Sequence, residues 1–283
     1  MGEWYRTLQS MATALKAAQE VREGDWYEGN ILYCGKCKEA RRERITSHGE
    51  VLTVTRMCRC DREAEIAEEE RKRKEEETLR LHENKQASGI EEMYRDARLS
   101  TFDVEADNTG AYNLAKNYIA QFPEMLSRNQ GLLFWGDCGT GKTFTACVIG
   151  NELLEKGYTV YSISFAKMFQ KVSGYSSEQE AELMEKVRTV DLLILDDLGT
   201  ERTTEFANEK VYAVIDARYR SGKPTIFTTN MTLTQMKEAV DVRQKRLYDR
   251  IFQTCFPLQF NGDSRRLAEA RERYKQMIIL TKG

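Results

Sequence analysis

Two stretches of this chain bring phosphate and metal chemistry within reach of each other. The first, GLLFWGDCGTGKTFT over residues 131–145, reads as an apolar run, then Gly136-x-x-x-x-Gly141-Lys142-Thr143, then a helix-like continuation. Glycines at a strand-to-helix turn let successive backbone N–H groups face inward, so Gly136, Asp137, Cys138, Gly139, Thr140 and Gly141 read as a phosphate cradle. Lys142 can reach the β and γ phosphates of a nucleoside triphosphate, and the Thr143 hydroxyl can ligate Mg2+. Phe144 follows in the first turn of a helix whose positive end adds attraction for anions. The second stretch, VDLLILDDL over residues 190–198, is a buried strand that ends in two carboxylates. Two acids at such a tip are costly without a cation. Asp196 is placed to hold Mg2+ through water, and Asp197 to act beside the γ phosphate on the attacking water or, alternatively, to cap the following turn. A third strand, PTIFTT, ends at Asn230, whose amide can hydrogen-bond the γ phosphate or the lytic water.

A separate group is built from soft ligands. Of the seven cysteines, four fall as Cys34-x-x-Cys37 and Cys58-x-Cys60 on either side of an alternating, strand-like segment. Four thiolates on two short turns suit a tetrahedral structural Zn2+ site, which a small domain needs as a staple. A redox dithiol or an iron–sulfur cluster is the alternative, because Cys-x-Cys is the less usual second pair. His48, in the polar Ser47-His48-Gly49, could replace one cysteine but reads as a solvated residue. Arg41, Arg42, Arg44 and Arg56 surround this knuckle, as a surface for nucleic acid or an acidic partner, or as a solvated face.

These groups must be positioned by two units of different composition. Residues 4–18 place Trp4, Tyr5, Leu8, Met11, Leu15 and Ala18 at helical spacing, which predicts an amphipathic helix. Residues 61–83 are a run rich in Glu, Lys and Arg, which predicts a solvent-exposed helical linker laced with i,i+4 pairs. The domain boundaries expected are therefore 1–62 for a helical and zinc-binding module, 63–87 for the linker and 88–283 for an α/β nucleotide domain. Within that domain the pattern predicts a helix over 108–122, the strand before the phosphate loop, and strands at TVYSIS, VDLLILDDL and PTIFTT. Helices are predicted between them, one of them over 206–220, with KRLYDRIF on a later helix and Asp263-Ser264-Arg265-Arg266 opening the last. In 283 residues the net charge is −2 and the pI near 6.0, so any nucleic-acid surface is a local patch. No run resembles a membrane span or a signal peptide, and a cytoplasmic location without membrane partners is expected.

Taken together, GDCGTGKT, LLILDDLG, DARYRSGKPTIFTTN, RLYDRI and DSRR make residues 88–270 resemble the AAA+ ATPase of bacterial and phage replicative helicase loaders, the DnaC/DnaI group. The same residues are similar to the IstB-type ATPases that assist some transposases. The resemblance implies a P-loop fold with a parallel sheet flanked by helices, ATP or ADP with Mg2+ as ligands, and slow ATP hydrolysis regulated by DNA or a partner. It assigns Lys142, Thr143, Asp196 and Asp197 to the phosphates, the metal and the water, and Asn230 as first sensor. Asp197 stands where such ATPases usually carry Glu. Arg250 matches the arginine finger that acts in trans within a homo-oligomer and Arg266 the second sensor, with Arg246 and Arg265 as close competitors.

Lys167, Phe169, Lys171 and Tyr175 fall where these loaders contact single-stranded DNA, and they mix cations with aromatics as backbone tracking and base stacking require. A helix carrying Met168 and Phe169 could equally be packing its core face. The cysteine region falls where some members hold the module that binds a DnaB-type helicase. The function implied is an ATP-dependent loader that places a hexameric helicase on single-stranded DNA at replication initiation. The alternatives are a transposase-helper ATPase, and a zinc-containing DNA adaptor that binds ATP without significant turnover.

Overall fold

In a computed structural model of the chain, residues 21–47, 50–174, 177–199 and 205–281 are described. The helix expected over residues 4–18 and His48 lie outside them. Two compact units divide between Arg80 and Leu81, a point inside a long helix and short of the linker end read from composition.

The first unit holds four short strands, β1 (Trp26–Glu28), β2 (Ile31–Tyr33), β3 (Ala40–Ser47) and β4 (Glu50–Thr55), paired antiparallel in chain order. Leu32 is fully buried, and Trp26 stacks on Tyr33 across the β1–β2 pair with ring centroids 5.5 Å apart. Among the described residues of this unit few apolar side chains are buried, a thin core for which a metal staple is expected. Helix α1 (Arg59–Ala87) follows. Its charges pair along its own surface, Arg71 with Glu68 at 2.7 Å and with Glu75 at 2.9 Å. Such exposed pairs are screened by water and individually weak, but several along one surface favour the helical state of a segment with little to bury.

The second unit is a five-stranded parallel sheet in the order β6-β7-β8-β5-β9. Its strands are β5 (Gly131–Gly136), β6 (Val160–Ser164), β7 (Leu192–Leu198), β8 (Thr225–Thr229) and β9 (Cys255–Phe260). Leu132, Leu133 and Phe134 of β5, Leu192 to Leu195 of β7 and all of β8 are buried, as strands covered on both faces must be. On one face pack α2 (Thr109–Ala120), α3 (Phe122–Ser127) and α4 (Lys142–Glu155), with Ala115, Ile119, Phe122, Ile149 and Leu153 in the core. On the other lie α5 (Phe165–Gly174), α6 (Ser177–Thr189), α7 (Glu205–Ser221), α8 (Leu233–Lys237) and α9 (Val242–Thr254), contributing Phe165, Met168, Val187, Val214 and Ile251. Helix α10 (Arg265–Thr281) ends the described chain.

Two local departures from the sequence reading have simple causes. The helix expected over 108–122 is α2, which stops two residues early at Ala120, and Pro123, lacking an amide donor, sits in the first turn of a separate short helix, α3. Strand β9 was not expected, since Pro257 argues against a strand. It is an edge strand paired only with β5, where Pro257 stands opposite Leu133 and leaves a missing donor tolerable. In a parallel sheet every strand ends on the same side, so the carboxyl ends of β5, β7 and β8 bring Gly136, Asp196, Asp197 and Asn230 to one edge.

Candidate nucleotide site and cysteine knuckle

The phosphate loop is a close-packed backbone turn. Gly136 has φ 134° and Gly139 φ 81°, and a Cβ on them would lie 2.2 Å from the Phe260 carbonyl oxygen and from Ser264 Oγ respectively. Only glycine satisfies both constraints. Helix α4 starts at Lys142, whose side chain is buried and whose Nζ donates to the carbonyls of Gly136 at 2.8 Å and Asp137 at 2.6 Å. Burial lowers the ammonium pKa, while the nearby Cys138, Asp197, Asp137 and Asp196 pull it back up.

The acid tip is wired to that loop. Thr143 Oγ1 donates to Asp196 Oδ1 at 2.8 Å, and Thr228 Oγ1 donates to the same oxygen at 2.6 Å. Burial raises the Asp196 pKa, the Asp197 charge adds to the rise, and the two hydroxyls oppose it. Asp197 adopts φ 60°, a left-handed conformation that costs a side-chain-bearing residue about 1–2 kcal/mol.

Between loop and tip lies a cavity of about 1100 Å³. It is lined by residues 138–145, Asp197 and the exposed Asn230, and from the far side by Phe102, Arg265 and Arg266. The backbone amide of Arg265 donates to the Gly139 carbonyl at 3.0 Å, so the start of α10 is fastened directly to the phosphate loop. The Arg265 guanidinium lies 3.5 Å from both Glu105 and Asp107, whereas Arg266 acts on Tyr94, whose pKa burial raises and the Arg266 charge lowers. Both candidate second sensors therefore face the cavity. A triphosphate-sized space bounded by the phosphate loop, a buried lysine, a threonine hydroxyl and the Asp197 carboxylate, with Asp196 hydrogen-bonded to that hydroxyl, has the donors for phosphate and the acceptors for a hard divalent cation.

Arg250 is elsewhere. It does not line the cavity: it pairs with Asp216 of α7, and its guanidinium lies 5.0 Å from the ring centroid of Tyr212 and 5.3 Å from that of Tyr219. Arg246, one turn earlier on α9, is exposed. On α5, Met168 is buried, Lys167 pairs with Glu91 and Lys171 is exposed. Tyr175 and the side chain of Phe169 lie outside the described residues. Thr228 and Tyr94 were not singled out by sequence. A hint for Thr228 was available in PTIFTT, where three threonines enter an otherwise apolar buried strand.

In the first unit, the sulfurs of Cys34, Cys37, Cys58 and Cys60 all lie within 4.8 Å of one another. Tight turns present them: the Cys34 amide donates to the Glu39 carbonyl, the Lys38 amide donates back to Cys34, and Lys38 has φ 64°. Burial works against it, but hydrogen bonds from the Cys60 and Glu39 backbone and the Cys34 and Cys58 thiols bring Cys37 down to about 6. Burial pushes Cys58 up to about 12. Arg41, fully buried, pairs with Asp25 and with Asp61 at 3.4 Å, and Asp61 in turn accepts from Cys58 Sγ at 3.2 Å. Four thiols this close fit a tetrahedral zinc site, in which Zn–S bonds of about 2.3 Å set the sulfurs roughly 3.8 Å apart.

With this geometry in view, comparison with known proteins identifies the family. Residues 62–273 match the family described as IstB-like ATP binding protein. The chain belongs to that family. Among curated relatives of this IstB-like chain, the replicative helicase loader DnaI of Bacillus subtilis (strain 168) is 28% identical over 181 residues, 60% of this chain and 55% of DnaI. The replicative helicase loader DnaC of Escherichia coli (strain K12) is 27% identical over 198 residues, 68% of this chain and 78% of DnaC. The crystal structure of the DnaC helicase loader superimposes with a TM-score of 0.54 at 24% identity, covering 60% of this chain and all of that one, a likeness of fold. The family is thus described as ATP-binding, and the second unit shares the fold of the DnaC helicase loader. The four clustered cysteines precede the matched residues. No helix among the described residues is long and apolar enough to cross a membrane.

Proposed function

We propose that this protein is an ATP-dependent loader that binds a hexameric, DnaB-type replicative helicase and helps place it on single-stranded DNA during replication initiation. The observation that carries the proposal is the convergence of Lys142, Thr143, Asp197 and Asn230 around one cavity, with Asp196 hydrogen-bonded to Thr143, in a chain whose relatives are named helicase loaders. In this reading the loop from Gly136 to Thr143, with Phe144, holds ATP. Lys142 and Arg266 neutralise the phosphates, and Thr143 and Asp196 hold Mg2+. Asp197 orients the lytic water, and Asn230 senses the γ phosphate.

Hydrolysis is slow in the lone chain and rises on assembly, when Arg250 of one subunit reaches the γ phosphate of the next. Loss of that phosphate removes contacts to Asn230 and Arg250 and loosens the assembly. Residues 1–62 form the helicase-gripping module, stapled by zinc on Cys34, Cys37, Cys58 and Cys60, and 63–87 link it to the ATPase of 88–283. Lys167, Phe169, Lys171 and Tyr175 follow the DNA strand, and the setting is the cytoplasm.

The test has two arms. Phosphate release is measured for the full chain alone, with single-stranded DNA, and with the host helicase added; co-purification from the host identifies the partner. Recovery of a hexameric helicase together with stimulated release supports the loader. Recovery of a transposase instead would assign the chain to transposition, and binding without any release would leave an ATP-binding adaptor.

A further inference from the structure

Strands β7 and β8 pair from Leu193 opposite Thr225 to Leu195 opposite Phe227, and resume at Leu198 opposite Thr229. Asp196 and Asp197 therefore face a single residue of β8, Thr228. That is a bulge, placed where the two carboxylates leave the sheet. A bulge costs its strand a ladder partner, and here a side chain supplies the replacement. The Asp197 amide donates to Thr228 Oγ1 at 2.9 Å, and the same hydroxyl passes its own proton to Asp196 Oδ1 at 2.6 Å. Thr228 is completely buried and does not line the cavity. Packing alone does not call for the hydroxyl, since valine has the same shape and suits a strand covered on both faces.

We infer that Thr228 is a positioning residue for ATP hydrolysis: its hydroxyl pins the β7 bulge and so aims the Asp196 carboxylate at Mg2+ and the Asp197 carboxylate at the attacking water. The inference rests on the hydrolysis proposed above. One hydroxyl has one proton, so donation to Asp196 turns a lone pair toward the Asp197 amide, and each bond fixes the direction of the other. With Thr143 donating to the same Oδ1, the Asp196 carboxylate is held by both the phosphate-loop helix and β8. Without the Thr228 oxygen, the part-buried Asp197 amide loses this acceptor and one of the two ties on Asp196 is gone.

Thr228→Ser and Thr228→Ala test this directly, because both drop the methyl group and differ only in the oxygen; Thr228→Val restores the shape without the oxygen. Phosphate release of the full chain, with helicase and single-stranded DNA, is followed against ATP and against Mg2+. Thr228→Ser is expected to keep at least about half of the wild-type kcat, while Ala and Val lose about tenfold or more with the KM for ATP changed less than about threefold. The Ala and Val proteins also require more Mg2+ for half-maximal rate. If Val does not fold, the Ser and Ala pair decides alone. Wild-type turnover accompanied by equal loss in Ser and Ala, or by near-wild-type kcat in Ala and Val, overturns the inference and leaves the hydrolysis reading intact. A wild-type protein that releases no phosphate under any of these conditions overturns both.

Discussion

Thr143 Oγ1 donates to Asp196 Oδ1 across 2.8 Å, joining the first turn of α4 to the tip of β7. With its proton committed to the carboxylate, the threonine oxygen keeps lone pairs for a hard cation, and Asp196 would hold the same ion through a water. The two motifs are separated by a helix, a strand and two further helices in sequence. Their meeting gives the cavity the donors and acceptors that the proposed metal-bound triphosphate would need.

Removing the Lys142 ammonium should weaken nucleotide binding sharply. It is a buried cation held at the loop by two carbonyls, ready to exchange them for phosphate oxygens. Lys142→Ala is expected to lower affinity for a fluorescent ATP analogue by roughly 10- to 100-fold, the worth of one charge-assisted hydrogen bond or two. Affinity equal to wild type would remove the phosphate role from this residue.

Asp196 should make the nucleotide-free protein less stable as pH rises. Its folded-state pKa lies above the ordinary carboxylate value, so the folded state binds the proton more tightly than the unfolded chain does. That contribution is fully present below the unfolded pKa and is lost as pH climbs through the raised folded pKa. Asp196→Asn is accordingly expected to melt higher than wild type at neutral pH, with the difference shrinking in acid, and to lose Mg2+-dependent hydrolysis. A variant that melts lower at neutral pH contradicts this assignment.

The pairing of Arg250 with Asp216, Tyr212 and Tyr219 gives that arginine a structural role in the single chain alongside the trans role proposed for it. Arg250→Ala should cost roughly 1–2 kcal/mol of stability from the lost cation–π and ionic contacts, and should abolish assembly-dependent hydrolysis while ATP still binds. Mixing it with Lys142→Ala, which carries an intact Arg250 beside a disabled site, should restore part of the phosphate release. Full release from Arg250→Ala alone would transfer the trans role to the exposed Arg246.

Chelation, or Cys34→Ser, should act on the first unit alone. Metal analysis is expected to find one zinc per chain, and its removal should speed proteolysis within residues 30–62 and abolish helicase binding. Because the cavity is built wholly from the second unit, ATP affinity should not change. Absence of zinc with unchanged protease resistance would turn the knuckle over to redox chemistry.

The nucleotide site was legible because its chemistry is local: glycines, lysine and threonine in one turn, and acids directly after an apolar strand. What could not be read is what depends on distant pairing. Pro257 hid β9, since only its place at the sheet edge makes a proline there harmless. Thr228 looked like one more β-branched residue, because the bulge opposite it exists only once β7 and β8 are aligned. Arg250 was read from the resemblance to an arginine finger, while the partners that hold it in the single chain lie on α7. The cysteines were legible as two pairs, but the Arg41, Asp25 and Asp61 network behind them joins three separate segments.

The account depends most on where a triphosphate sits. A structure of the full chain with Mg2+ and a non-hydrolysable ATP analogue measures it directly. The expected result places the phosphates along the loop from Gly136 to Thr143, with Lys142 Nζ on the β and γ phosphates, Mg2+ between Thr143 and Asp196, and Asn230 facing the terminal phosphate. A nucleotide bound elsewhere, or a metal ion out of reach of Asp196 through one water, would contradict it.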